Sequence, residues 1–247
     1  MKDGLDLGIR FSYRVNHLRY CGPREAEDVF ISYINQKTDP QKVQDCLTRF
    51  EGLTPYLYAI AKKHNKNPFD YEVIEAYWIG NKLLEGWTKK EMAQILDALE
   101  KRGLPASLVK EKKEELIDGL FPHHAFNVFF VGVGKITGAV STTLLNMNKC
   151  RPSWGTVIKV RENTLIVRSS EITYGKGAFI LADQKEKEVG YLPLMTAKIK
   201  PGDIVAIHWD FAGLILSREQ QEQLETYTLR LMNLLSTINN NQEIASR

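Results

Sequence analysis

The sequence predicts an α+β protein: a helical N-terminal domain, then a small antiparallel OB-like β-barrel, then a C-terminal helix. Three observations predict it. Apolar residues recur at one-face helical spacing through most of the first 121 residues. Beyond residue 150, short β-branched and aromatic runs follow one another at close spacing with turn residues between them, the pattern of a small barrel or sandwich. Finally, Ser217-Arg218-Glu219-Gln220 reads as a capping box opening an amphipathic run with Leu224, Tyr227, Leu231 and Leu234 on one face. The predicted organisation is a helical domain over 1–121, a strand and connector over 122–149, and a barrel with its helix over 150–247.

The helices are justified in order. Pro23 after Gly22 marks a helix start, because proline at the first helical position lacks only a donor that would be orphaned anyway. Ala26, Val29, Phe30, Tyr33 and Ile34 follow on one face. Asp39-Pro40 opens a second helix with Val43, Leu47 and Phe50, which Gly52 ends. Pro55 opens a third, from Tyr56 to Lys63. A fourth runs from Asp70 with Val73, Ile74, Tyr77, Trp78 and Leu84. Thr88-Lys89-Lys90-Glu91 caps a fifth, and Pro105 or Ser107 opens a sixth through Ile117. Residues 126–133 are aromatic and β-branched and predict a buried strand. Residues 134–149, with Gly134, Gly138 and a Ser/Thr run, predict a connector. Strands are predicted over 155–160, 164–168, 178–182, 188–194, 204–208 and 213–216. Tyr77, Trp78, Phe126 and Phe129 are expected to line the interface between helices and barrel.

Composition limits the function classes. Hydrophobic residues make up 43% and charged residues 26%, a globular balance. Net charge is +3, from 33 basic and 30 acidic residues divided nearly evenly on either side of Cys150. A nucleic-acid surface would concentrate basic residues, so no nucleic-acid partner is expected. The most apolar stretch is about half the roughly 20 residues a membrane helix needs, so no membrane insertion is expected. The start carries acids where a signal peptide has an apolar run, and three scattered cysteines do not make a disulfide framework. A cytoplasmic location follows as the expectation.

Several residues carry candidate chemistry. Cys21 stands before a helix start, where the helix dipole and free N–H groups favour a thiolate; an equally weighted reading makes it a small buried hydrophobe. Cys46 lies inside an amphipathic helix and reads as core. Glu72 and Glu75 are i,i+3 neighbours that could pair, although a solvated helix face is the commoner outcome. His123 and His124 are adjacent; on an extended stretch they point to opposite faces, which favours packing over shared metal ligation and leaves a role for one at the interface. Cys150, before the first barrel strand, and His208, at the end of a later one, can supply a thiolate and an imidazole to a metal. As a ligand, Cys150 is expected to be reachable and more thiolate-like than Cys46. An alternative is a thiol- or acid/base-dependent enzyme using Cys150 or Cys21 with Glu75 or His124 at the interface.

A resemblance attaches to these last residues. Cys150 stands five positions before Gly155; Pro201-Gly202-Asp203, Ile207-His208 and Phe211-Ala212 follow in order, and a helix closes the segment. From Cys150 to Leu235 the chain resembles the HypC/HupF family of hydrogenase assembly chaperones. Trp154 stands where that family has proline, Asp210 where it has glycine, and Cys150 is internal rather than N-terminal. Trp154 and Asp210 thus flank the implied site. The resemblance implies an accessory or maturation factor for nickel–iron hydrogenase. Cys150 and His208 would transiently hold an iron bearing cyanide and carbonyl ligands, and the partners would be the hydrogenase large subunit or other maturation proteins. The whole chain also resembles an uncharacterised prokaryotic family of hydrogenase-associated proteins, through Tyr20-Cys21-Gly22-Pro23, Pro55-Tyr56-Leu57, Glu75-Ala76-Tyr77-Trp78-Ile79-Gly80-Asn81 and Pro122-His123-His124. That resemblance implies no activity.

Overall fold

The computed structural model describes residues 2–175 and 177–245; the last two residues of the predicted barrel unit, 246 and 247, lie outside them. The architecture is α+β, with a helical N-terminal region, a closed five-stranded barrel and a long C-terminal helix.

The helical region contains α1 (Gly4–His17), α2 (Ala26–Gln36), α3 (Pro40–Thr48), α4 (Thr54–His64), α5 (Tyr71–Trp78), α6 (Lys89–Glu100) and α7 (Ala106–Glu115). The capping box at Thr88 forms: its side chain accepts from Glu91 N, and the Glu91 carboxylate accepts from Thr88 N. Helix α1 is an addition to the predicted set. Its buried apolar residues Leu5, Leu7, Ile9, Phe11, Tyr13 and Val15 alternate, which is strand-like spacing. Asp6, Arg10 and Arg14 do mark one less buried face at i,i+4 spacing, but the alternating apolar residues that cover the rest of the helix mimic a strand and mask that period.

The second correction concerns residues 126–133. The expected strand is helical: α8 (His124–Phe126) passes directly into a π-helical turn at Asn127–Gly132. A short, fully buried apolar run reads the same in either conformation. The expected connector also contains a helix, α9 (Leu144–Cys150), capped by the Thr143 side chain accepting from Asn146 N at 3.2 Å.

The barrel strands are β1 (Ser153–Val160), β2 (Thr164–Ser169), β5 (Lys185–Tyr191), β6 (Ile204–Ile207) and β7 (Phe211–Ile215). Their order is β1-β2-β5-β7-β6. Antiparallel β1–β6 pairing and a short parallel β5–β7 contact close the ring. Val157, Leu165, Val167, Val189, Val205 and Ile207 are among the residues that fill it. A separate hairpin joins β3 (Ile172–Gly175), absent from the predicted set, to β4 (Ala178–Leu181).

Helix α10 (Arg218–Ala245) begins at the predicted capping box, where Gln220 N donates to Ser217 Oγ and the Gln220 side chain accepts from Ser217 N. It returns onto the helical region: Gln220 reaches Tyr71 and Glu75, and Arg230 pairs with Glu85 at 2.8 Å. The barrel meets α1 closely enough that a Cβ on Gly213 would lie 2.2 Å from the Arg10 carbonyl oxygen. One core cluster accordingly contains residues from α1 through α10. Among the described residues no helix is long and apolar enough to cross a membrane.

Candidate metal centre

Three separate elements deliver ligands to one point at the junction of helices and barrel. His124 begins α8, Cys150 ends α9, and His208 stands between β6 and the β6–β7 turn. Their ligand atoms lie within 4.8 Å of one another, and all three residues are buried.

Local structure explains each placement. His123 caps α8, its Nδ1 accepting from Ala125 N at 3.2 Å, and this turns His124 the other way. The adjacent histidines therefore diverge at a helix start rather than on a strand. At the barrel end, His208 N donates to Phe211 O at 3.0 Å and Phe211 N donates to His208 O at 3.2 Å across Trp209-Asp210. Both turn residues have φ of 53°, the signature of a tight I′ hairpin. Trp209 N then donates to Lys149 O at 2.6 Å, fastening the turn to the end of α9 beside Cys150.

The imidazoles are oriented in advance. His208 Nδ1 lies 2.7 Å from the Phe11 carbonyl, which can only accept, so Nδ1 carries the proton and Nε2 a free lone pair. The Tyr77 hydroxyl donates to Gly52 O at 2.7 Å, so it accepts from His124 Nδ1, also at 2.7 Å. His124 Nε2 is then the unprotonated nitrogen, and it faces Cys150 Sγ at 3.6 Å. Trp78 packs at a tilt against the His124 ring, centroids 4.3 Å apart, and meets the His208 ring edge-on at 5.2 Å.

Electrostatics keep the group neutral. Burial lowers His208 to about 4, against the opposing pull of the Phe11 and Cys150 carbonyls. Burial also holds His124 well below the ordinary histidine value, with His208 and His123 adding to the effect. Burial pushes the Cys150 thiol up to about 12, with Trp209 acting in the opposite direction. This corrects the expected ready thiolate: Cys150 is only 8% exposed, and it sits as a thiol whose S–H can bond His124 Nε2.

The other sequence candidates contribute no ligand atom to this triad. Cys21 lines the same cavity, where its Sγ donates to Glu51 Oε2 at 3.2 Å; burial, then Glu51, push its thiol far above the ordinary range. The expected low-pKa thiol at a helix start is therefore not realised: burial, reinforced by Glu51, raises the thiol, and α2 begins only at Ala26, beyond reach of Cys21. His123 is fully buried, and burial lowers it to about 3. Glu75 accepts from Asn81 at 3.3 Å and Gln220 at 3.1 Å, tying α5 to α10. Trp154 lies under the buried Arg151 guanidinium at 5.9 Å. Asp210 pairs with Lys149 at 3.1 Å and Lys187 at 3.6 Å. Of the predicted interface aromatics, Trp78 touches the triad and Phe129 stacks on Phe179 of β4 at 4.9 Å. Sequence reasoning missed Ser12 and the Phe11 carbonyl, because α1 itself was missed.

Fold and site together define an α+β protein with an OB-like barrel and a buried His–Cys–His constellation at the seam between barrel and helices. The chain belongs to the family of unknown function DUF6390, whose family model matches residues 1–242. No curated protein and no solved structure matches it.

Proposed function

We propose that this protein binds one divalent transition-metal ion through His124 Nε2, Cys150 Sγ and His208 Nε2. The convergence of these atoms within 4.8 Å carries the proposal. Two further features support it. Each imidazole already makes a hydrogen bond through Nδ1, the outer-sphere contact that fixes the tautomer of a metal-ligating histidine. A thiolate with two imidazoles also suits zinc, copper or iron rather than calcium or magnesium. Metal binding would expel the thiol proton, because the cation replaces the proton as the charge that a buried thiolate needs. Equilibrium dialysis against cobalt(II), with the sulfur-to-cobalt charge-transfer band as second readout, tests the reading. One equivalent should bind with that band, and Cys150→Ser should remove it. Wild-type uptake no greater than that of Cys150→Ser overturns the proposal.

A finer reading makes the metal an iron bearing cyanide and carbonyl, held transiently and passed to the hydrogenase large subunit or another maturation protein. The proximity of Cys150 and His208, the two residues paired by the HypC/HupF resemblance, favours it. Here the iron unit is cargo rather than a resident cofactor. Infrared spectra of protein co-expressed with hydrogenase maturation partners should contain cyanide and carbonyl stretches that Cys150→Ser abolishes and His208→Ala weakens. A silent wild-type spectrum with those partners present overturns this reading and leaves the metal site standing. The thiol-enzyme alternative is disfavoured by burial, which holds Cys150 and Cys21 protonated where a nucleophile needs the thiolate.

A further inference from the structure

The three ligand residues border an apolar cavity of about 70 Å³, walled by Leu53, Val133 and Ile136 among others. Among the described residues no carboxylate and no further histidine or cysteine joins the triad. A divalent ion with one thiolate and two neutral imidazoles therefore carries a residual charge of +1. Burying an uncompensated charge among apolar walls is costly.

The cavity wall itself contains polar groups with nothing to bond. Ser12 Oγ and Trp78 Nε1 belong to residues 1% and 3% exposed, both line the cavity, and neither has a hydrogen-bond partner. A buried donor left unpaired is destabilising, and each such group in a native fold calls for an explanation. An acceptor-bearing guest beside the metal satisfies both donors and cancels the residual charge at once.

Building on the metal reading above, we propose that the cavity is an anion site completing the metal's coordination. It takes a monoanion of about two to four non-hydrogen atoms, a size set by the cavity. Three protein ligands leave a position for an exogenous one, as in open tetrahedral sites. The anion binds the metal through one end and accepts hydrogen bonds from Ser12 and Trp78. Apolar walls exclude larger or strongly hydrated anions such as sulfate. Neutral diatomic molecules would fit the volume but would leave the charge uncompensated.

Azide titration of the cobalt(II)-loaded full chain tests this, read by the ligand-field and azide-to-cobalt absorption bands. A saturable spectral change is expected with azide and none with sulfate. Ser12→Ala and Trp78→Phe should each weaken azide by about ten- to a hundredfold, the worth of one lost hydrogen bond to a charged group, measured against each variant's own azide-free spectrum. A cobalt spectrum that forms normally but is unmoved by azide overturns the anion site and leaves the metal reading intact. The anion site is equally overturned if both variants bind azide as the wild type does, or if carbon monoxide binds the iron(II)-loaded protein and azide does not. Failure of cobalt to bind removes the metal reading, and this proposal with it.

Discussion

Replacing Tyr77 with phenylalanine isolates the contribution of one hydroxyl to the site. That hydroxyl bridges His124 Nδ1 and the Gly52 carbonyl, each at 2.7 Å, within a residue that is fully buried. The ring would remain packed between Tyr56 at 5.1 Å and Trp78 at 5.0 Å, so little apolar contact is lost. What is lost is the pairing of two buried polar groups, each costing about 1–3 kcal/mol when left unsatisfied, for a total of roughly 2–6 kcal/mol. The His124 proton would also lose the acceptor that keeps it on Nδ1, freeing the ring to place it on Nε2. Outer-sphere contacts of this kind are worth about 10–100-fold in metal affinity. Guanidinium denaturation measures the first effect, and chelator competition for cobalt or zinc the second. Nitrogen-15 correlation spectra of the histidines should give the Nδ1–H tautomer for His124 in the wild type and a mixture in Tyr77→Phe. A folded variant with wild-type metal affinity and an unchanged tautomer would refute the argument that Tyr77 prepares the ligand.

Other expectations are open to direct measurement. Stability should fall as pH drops from about 6.5 toward 4: His208 titrates near 4 when folded and near 6.5 when unfolded, so the unfolded chain takes up the proton first, at about 3 kcal/mol for this residue. His123 and His124 act in the same direction, and a urea midpoint flat between pH 7 and 5 would contradict this. Gly213→Ala would drive a Cβ to 2.2 Å from the Arg10 carbonyl oxygen and force α1 away from β7, costing about 3 kcal/mol or more in a thermal melt. A loss under about 0.5 kcal/mol would mean that the seam yields easily. Native-state alkylation of Cys150 should run about a thousandfold slower than that of a free thiol, from its thiolate fraction alone; peptide mapping that finds a free-thiol rate would contradict the buried position.

The sequence alone determined the elements that carry their own local signal. The Thr88 and Ser217 capping boxes, the amphipathic faces of α2 to α6 and the turn-punctuated strands after residue 150 formed, because caps and periodicity act within a few residues; the fourth predicted helix, however, stops at Trp78 short of Leu84, and the strand at 178–181 lies in a separate hairpin rather than in the barrel. It also marked Cys150 and His208 as a possible ligand pair through residue type and order. Tertiary structure decided the rest. The helical segment 124–132 is buried on nearly all sides, which erases the polar face that would have revealed its period, whereas in α1 the i,i+4 stripe of Asp6, Arg10 and Arg14 is narrow and the alternating buried apolar residues around it mimic a strand. His124 joins Cys150 and His208 only because α8, α9 and the β6–β7 turn converge at one seam, and no sequence spacing encodes that meeting. The same convergence sets the chemistry: burial turns an expected thiolate into a thiol, and Phe11 and Tyr77, from α1 and α5, decide which nitrogen of each imidazole faces the cluster.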